Sequence, residues 1–447
     1  MASSSSGRFL LAALVLTAGG TAEPLVGGEE AGAGAEDALV VAAAEFFRSH
    51  AGNASSAAAR GDYESAVPAF GEIHAALRPV AVTLPPNEDG LLGPTAVRYM
   101  LHRLFVQEHS WFVEGLDPEG QAWNESSPTQ AKAFSSLPPG LRALAAQRVN
   151  GPGLSLREVA AFAALLEHAI DLEATARLRA VYRKLRLPVD GSVSAAQAQS
   201  ALDAYMSCHV AGQDPARISA TRLHRIVGSI QEIYPSWPAT QDFVRERIQH
   251  RVVDGRVDSA SMGLVVQEIG RRWGNFQGSE CSELKGVLMR LEDRGTGRVR
   301  LADFYGGALH EGKWQFAESI PYLRQLGALD ESNPSNMRVI IPNYINGRSN
   351  CVGSTSSYSN CCVSECVSIV RHLEQQLGAP DALPEDILAL VAALPSRTVP
   401  AGRSLPDLMV IRLRSIAAEH GGRVLLHSRL FSQWLHHAYP RECSFPH

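Results

Sequence analysis

Apolar residues return every three or four positions along most of this chain. Leu156, Val159, Phe162, Leu165, Leu166 and Ile170 mark one face of a helix that begins near 155, because side chains three and four apart stack on the same side. The same spacing predicts helices at about 195–208, through Leu223, Ile226, Val227 and Ile230, and at 262–274. Further helices are predicted at about 364–377, 384–394, 405–419 and 428–438. Between Ala66 and Arg148 the pattern is also helical, with Tyr99, Phe105, Trp111, Phe112 and Trp123 supplying bulk, and it is divided at Pro85-Pro86 and Pro138-Pro139-Gly140. Arg338-Val339-Ile340-Ile341-Pro342 reads as a short strand. The fold class expected is mainly α.

Four of the breaks between helices share a local text: a small residue, a variable one, then Val or Ile. They are Gly191-Ser192-Val193, Ala216-Arg217-Ile218, Gly255-Arg256-Val257 and Gly297-Arg298-Val299. A small residue permits a sharp turn, and a β-branched residue two places on suits a short strand. Such a strand needs a partner, so the loops are expected to pair in order, 186–197 with 211–222 and 250–261 with 292–303. Tyr234-Pro235-Ser236-Trp237-Pro238 would be the hinge between the pairs, since proline ends helices. Gly422-Arg423-Val424 is a fifth, isolated occurrence, left outside the count.

Over about 155–310 this arrangement resembles the EF-hand superfamily. The resemblance implies paired helix–loop–helix lobes whose grooves accept partner helices, and it raises the question of calcium. A calcium loop needs oxygen donors at positions 1, 3 and 5 and a bidentate carboxylate at 12. Loop 186–197 offers Arg186, Pro188 and Asp190 and ends in Gln197; loop 211–222 offers Ala211, Gln213 and Pro215 and ends in Arg222. Loop 250–261 offers His250, Val252 and Asp254 and ends in Ser261. Only loop 292–303 approaches a site, with Glu292, Thr296 and Asp303 at positions 1, 5 and 12. Arg294 stands at position 3, and a cation there repels a metal ion by on the order of several kcal/mol at ~4 Å. Weak Ca²⁺ binding by Glu292, Thr296 and Asp303 is one expectation; a salt bridge from Arg294 to Glu292 or Asp303 in place of the ion is the other. Ordinary helical hairpins with glycine turns are the plainer alternative.

The 447 residues carry a formal net charge of −5 with both signs interspersed, which argues against a nucleic-acid partner. Arg8, the apolar run 9–16 and the small residues Gly19 to Ala22 describe a signal peptide over 1–22. The apolar run is well short of the ~20 residues that span a bilayer, so no transmembrane segment is expected after cleavage. A secretory-pathway address, secreted or in an endomembrane lumen, follows. There the sequons at Asn53 and Asn124 are glycosylation candidates.

Five of the seven cysteines lie late in the chain: Cys351, Cys361, Cys362, Cys366 and Cys443. In an oxidising compartment they read as disulfide partners. Cys351 can meet Cys361 or Cys362, and Cys366 can meet Cys443. Two other chemistries compete: zinc on Cys361, Cys366 and His436 or His437, and a nucleophilic cysteine assisted by His427, His436 or His437. From about residue 90 onward the chain also resembles signal-bearing EF-hand-like proteins of unicellular algae with a cysteine-rich C-terminus, a resemblance that carries no activity.

The expected organisation is a signal peptide at 1–22, a flexible Ala/Gly/Ser-rich segment at 23–60 and a helical N-terminal lobe at 61–150. EF-hand-like pairs follow at 151–234 and 239–325, then a cysteine-rich helical C-terminal domain at 326–447. The expected function is binding or structural, toward protein partners. The rival is a hydrolytic or redox enzyme with a Cys/His site in the C-terminal domain.

Overall fold

A computed structural model describes residues 37–50, 63–116, 132–306, 309–310, 313–314, 316–353 and 356–446. The signal peptide expected at 1–22 and both sequons, Asn53 and Asn124, lie outside the described residues. The described chain is mainly helical.

The N-terminal third contains α1 (Ala38–His50), α2 (Phe70–Ala81), α3 (Pro94–His109), β1 (Trp111–Val113) and α4 (Pro139–Asn150). Helix α1 falls inside the segment expected to be flexible, 23–60. It is part of a core: Leu39, Val40, Ala43, Ala44, Phe46 and Phe47 are buried, and the helix packs on α5 (Leu156–Lys184). Six apolar side chains in one helix bind it where the Ala/Gly/Ser composition around it would not.

The middle follows as β2 (Ser192–Ser194), α6 (Ala195–Val210), α7 (Ala220–Ile233), α8 (Trp237–Gln249), β3 (Arg256–Asp258) and α9 (Ser259–Arg290). Next are β4 (Arg298–Arg300), α10 (Leu301–Gly306), β5 (Leu309–His310), β6 (Lys313–Trp314), α11 (Ile320–Gln325), β7 (Leu329–Asp330), β8 (Arg338–Ile340) and α12 (Ile341–Ile345). The chain ends in β9 (Tyr358–Asn360), α13 (Cys366–Leu377), β10 (Asp381–Ala382), α14 (Pro384–Ala393), α15 (Asp407–Ala418), β11 (Val424–Leu425) and α16 (Arg429–Ala438).

Pairing of the loop strands departs from chain order. β2 pairs antiparallel with β3, placing Val193 opposite Val257, so the first loop joins the third. Loop 211–222 contributes no strand: Asp214 caps its turn by accepting from the Ala216 N–H, and Pro215 has no N–H to give a ladder. Its helix α7 packs mainly on α6 and to a lesser extent on α8. β4 pairs with β8, Val299 opposite Val339, and β7 flanks β8. The strand expected at 338–342 is therefore the sister of the fourth loop.

Two further couples have the same form. The Leu92 and Leu154 N–H groups donate to each other's carbonyls at 2.9 and 3.0 Å, joining the α2–α3 turn to the α4–α5 turn. β10 and β11 join the α13–α14 turn to the α15–α16 turn, with Ala382 opposite Val424. The isolated Gly422-Arg423-Val424 thus has a strand partner after all.

Each couple has its own hydrophobic cluster. The first gathers Phe105, Phe162 and Leu165; the second Val193, Val257 and Trp273; the third Val299, Phe304 and Val339; the fourth Leu413, Val424 and Phe431. Helix α5 belongs to the first and second couples, and α9 to the second and third. At 29 residues, α5 spans roughly 43 Å at the α-helical rise, enough to pass through two cores.

Candidate functional site

Loop 292–303 begins where α9 ends, and its turn is set by Gly295 and Gly297, both at positive φ (75° and 71°). The Glu292 side chain is only 4% exposed. Its Oε1 accepts from the Gly297 N–H at 2.5 Å. Its Oε2 accepts from Arg441 Nε at 2.8 Å and lies 2.7 Å from Arg441 Nη2. The same contact raises the Arg441 pKa. A guanidinium from the C-terminal segment therefore occupies the mouth of the loop, in place of the Arg294 salt bridge expected from sequence.

The other expected ligands have separate partners. The Thr296 hydroxyl donates to the Asp293 carbonyl at 2.7 Å. Asp303 sits in the first turn of α10 and accepts from Arg300 Nε at 2.7 Å. Asp293 faces Arg338 at 3.5 Å. Among the described residues no cluster of three or more His, Cys, Asp or Glu is arranged to hold a metal ion. The C-terminal segment lies hard against this turn: a Cβ on Gly297 would come 2.0 Å from the Pro440 carbonyl oxygen.

A second buried carboxylate–guanidinium pair lies at the turn before α5, which sequence reasoning missed. Glu158 is fully buried; its Oε1 accepts from Arg148 Nε at 3.0 Å and its Oε2 from Arg148 Nη2 at 2.7 Å. Glu158 also closes a capping box with Ser155. The Ser-x-x-Glu spacing before an apolar run was the available signal.

The C-terminal cysteines are all in disulfides: Cys281–Cys362, Cys351–Cys361 and Cys366–Cys443. Cys351 takes Cys361, one of its two expected partners, and Cys366 takes Cys443. Cys281, on α9, was not among the expected partners, and it claims Cys362. Cys361 and Cys366, the proposed zinc thiolates, are thereby oxidised, and no thiol remains near His427, His436 or His437. Cys208 is free and buried, and desolvation pushes its pKa up to about 11 despite Arg177, so it stays a thiol at neutral pH.

The histidines have structural partners. His436 Nδ1 is 2.7 Å from the Cys443 carbonyl, and burial lowers its pKa to about 4. His427 Nε2 is 2.9 Å from the Thr83 hydroxyl, and its pKa falls to about 4 through burial and then the charge of Arg103. Beside it, Arg103 donates to Glu374 at 2.5 and 3.0 Å and to the Tyr99 hydroxyl at 3.1 Å. This buried cluster ties α3 to α13, and so the first couple to the fourth.

The segment closed by Cys351–Cys361 is equally central. β9 pairs with β1, and Asn360, fully buried, donates to the Ser110 carbonyl at 3.3 Å while its Oδ1 lies 3.2 Å from His209 Nε2. Burial lowers the His209 pKa to about 4, helped by Arg177. Tyr358 packs on Trp111 with ring centroids 4.9 Å apart. The Asn-, Ser- and Cys-rich text is a strap stitched into the middle of the molecule.

Compared with protein-family models, curated proteins and solved structures, the chain matches none.

Proposed function

We propose that this is a secreted or luminal binding and structural protein on a degenerate EF-hand-like scaffold, in which guanidinium groups stand where such loops would hold calcium. The observation that carries this reading is the Arg441 fork on Glu292, inside a turn that keeps its glycines and its strand partner. Arg148 on Glu158 repeats it. A fixed cation neutralises the acid permanently, so the loop holds its shape without responding to ion concentration. The three disulfides and the absence of a membrane-spanning helix among the described residues are compatible with the compartment. Exposed Leu408 and Ile411, one turn apart on α15 and each 59% accessible, offer an apolar edge to a protein partner.

Calorimetric titration of the purified protein with Ca²⁺, paired with thermal melts in Ca²⁺ and in chelator, tests the reading. The expected result is no saturable heat at millimolar Ca²⁺ and melting midpoints within about 1 °C, since a bound ion stabilises by mass action. Saturable binding with a midpoint shift of several degrees would overturn it.

A further inference from the structure

Where loop 292–303 meets the C-terminal helices there is an open cleft of about 310 Å³, at the lower end of the range for small-ligand sites. Its wall contains Arg403, Arg441 and His437, an apolar surface from Val399, Leu405 and Met409, and no Asp or Glu.

The charges in that wall differ in how they are balanced. Arg441 is neutralised by Glu292. His437 has its pKa lowered by desolvation, then by Arg298 and Arg412, and is uncharged at neutral pH. Arg403 has no carboxylate partner among the described residues. Its Nη1 donates to the Ala438 carbonyl at 2.6 Å, and its guanidinium lies 4.5 Å from the Tyr439 ring centroid. Its Nε and Nη2 are buried without any hydrogen-bond acceptor. Glu442, the acid next along the chain, does not line the cleft; its Oε1 accepts from the Ser396 and Thr398 hydroxyls at 2.6 and 2.7 Å.

A guanidinium with two unused N–H groups pairs best with a planar anion that takes both. One uncompensated cation beside an apolar wall suits one negative charge on an apolar body. We propose that this cleft binds a small organic monocarboxylate, its carboxylate held by Arg403 and its apolar part on Val399, Leu405 and Met409. Since Nε and Nη2 are buried and the guanidinium packs on the Tyr439 ring, binding through this edge requires the guanidinium to rotate toward the cleft.

The test uses the full chain and three probes: octanoate, octanol and inorganic phosphate, each titrated calorimetrically and in thermal melts. Octanoate is expected to bind at one site, at least tenfold tighter than octanol, which lacks the charge, and than phosphate, which lacks the apolar body. Arg403→Gln should weaken octanoate at least tenfold with an unchanged circular dichroism spectrum. Leu405→Glu, which leaves Arg403 in place and puts a carboxylate in the wall, should do the same and decides the matter if the arginine variant does not fold. The proposal is overturned by failure of octanoate to bind, by equal affinity for octanol or phosphate, or by a folded Leu405→Glu variant that binds as before.

Discussion

Removing the Arg441 side chain while keeping its stem, as in Arg441→Met, isolates the claim that a guanidinium replaces an ion. Glu292 would then be a carboxylate with a 4% exposed side chain, left with the Gly297 N–H as its remaining partner. Stranding a buried charge costs on the order of 3–5 kcal/mol. Arg441 itself is 26% exposed, so water can enter the vacated space, which places the expected loss near 2–3 kcal/mol. Glu292→Gln leaves a partly hydrated guanidinium and should cost less, about 1–2 kcal/mol.

The double variant removes both charges and leaves neither stranded. Its loss should fall short of the sum of the singles by about 1.5 kcal/mol or more, the coupling that a double-mutant cycle reads. A chain with four cores need not unfold in one step, so urea denaturation should be joined to native-state hydrogen exchange at the Gly297 and Val299 amides, which reports opening of this loop directly. A coupling below ~0.5 kcal/mol, or additive losses, would mean that the ion pair is an incidental surface contact and would refute the reasoning.

Four other outcomes are expected. Acidification should destabilise the protein: His209, His427 and His436 have folded pKa values of about 4 against an ordinary 6.5, so between those pH values the unfolded chain takes up protons that the folded chain refuses. Each contributes a loss of about 3 kcal/mol, offset once by about 3 kcal/mol from Asp171, whose pKa burial raises to about 6; a melting temperature flat from pH 7 to 4 would contradict this. Peptide mapping without reduction should recover Cys281–Cys362, Cys351–Cys361 and Cys366–Cys443, with Cys208 alkylated only after unfolding. The two long bridges, with sequence separations of 81 and 77, should contribute about 4.5 kcal/mol each by the chain-entropy model, measured as the drop in unfolding free energy of Cys-to-Ser pairs. Gly297→Ala should cost at least 2 kcal/mol by urea unfolding, because its φ is positive and its Cβ would strike the Pro440 carbonyl; a neutral result would show that the C-terminal segment is not seated there.

The helices were legible because their period is local: Leu156 through Ile170 announce α5 with no knowledge of the rest of the chain. The short strands were legible one at a time through Gly-x-Val, but their partners were not. A ladder of two or three residues carries little pairing information of its own. The choice is made by how the helices pack: α6 lies against α5 and α8, and β2 meets β3 rather than the loop that follows α6. The site was the least legible part. Glu292 and Arg441 are 149 residues apart, and nothing near Glu292 points to its partner, while Arg294, adjacent in sequence, is not the arginine that binds it. Two disulfides were within reach, Cys351–Cys361 because its cysteines are close in sequence and Cys366–Cys443 because both fall among the five late cysteines; Cys281 sits alone in the polar text of α9, and only the fold brings it to Cys362.

The turns also differ in a way that accounts for which arginines are present. Where the turn keeps a buried acid, at Glu158 and Glu292, a guanidinium is bound to it within 3.0 Å. At the last position of loops 186–197 and 250–261, the place Asp303 takes in loop 292–303, the residue is uncharged and the turn manages with hydrogen bonds alone: Gln197 completes a capping box with Ser194, and the Ser261 N–H donates to the Asp258 side chain. Asp303 remains acidic but half-exposed, and Arg300 of its own turn suffices. At these two turns the buried acid is paired with a cation, as desolvation favours when an unpaired charge in an interior costs several kcal/mol; Glu442, buried elsewhere, is held by the Ser396 and Thr398 hydroxyls instead. The strand ladder and the charge balance are separable parts of these turns. The ladder is present in every couple, since it closes the backbone hydrogen bonds between two helical hairpins, whereas the charge is needed only where a buried carboxylate is present. It follows that exchanging Arg148 or Arg441 alone should open its own turn, while exchanging acid and arginine together should leave the couples paired.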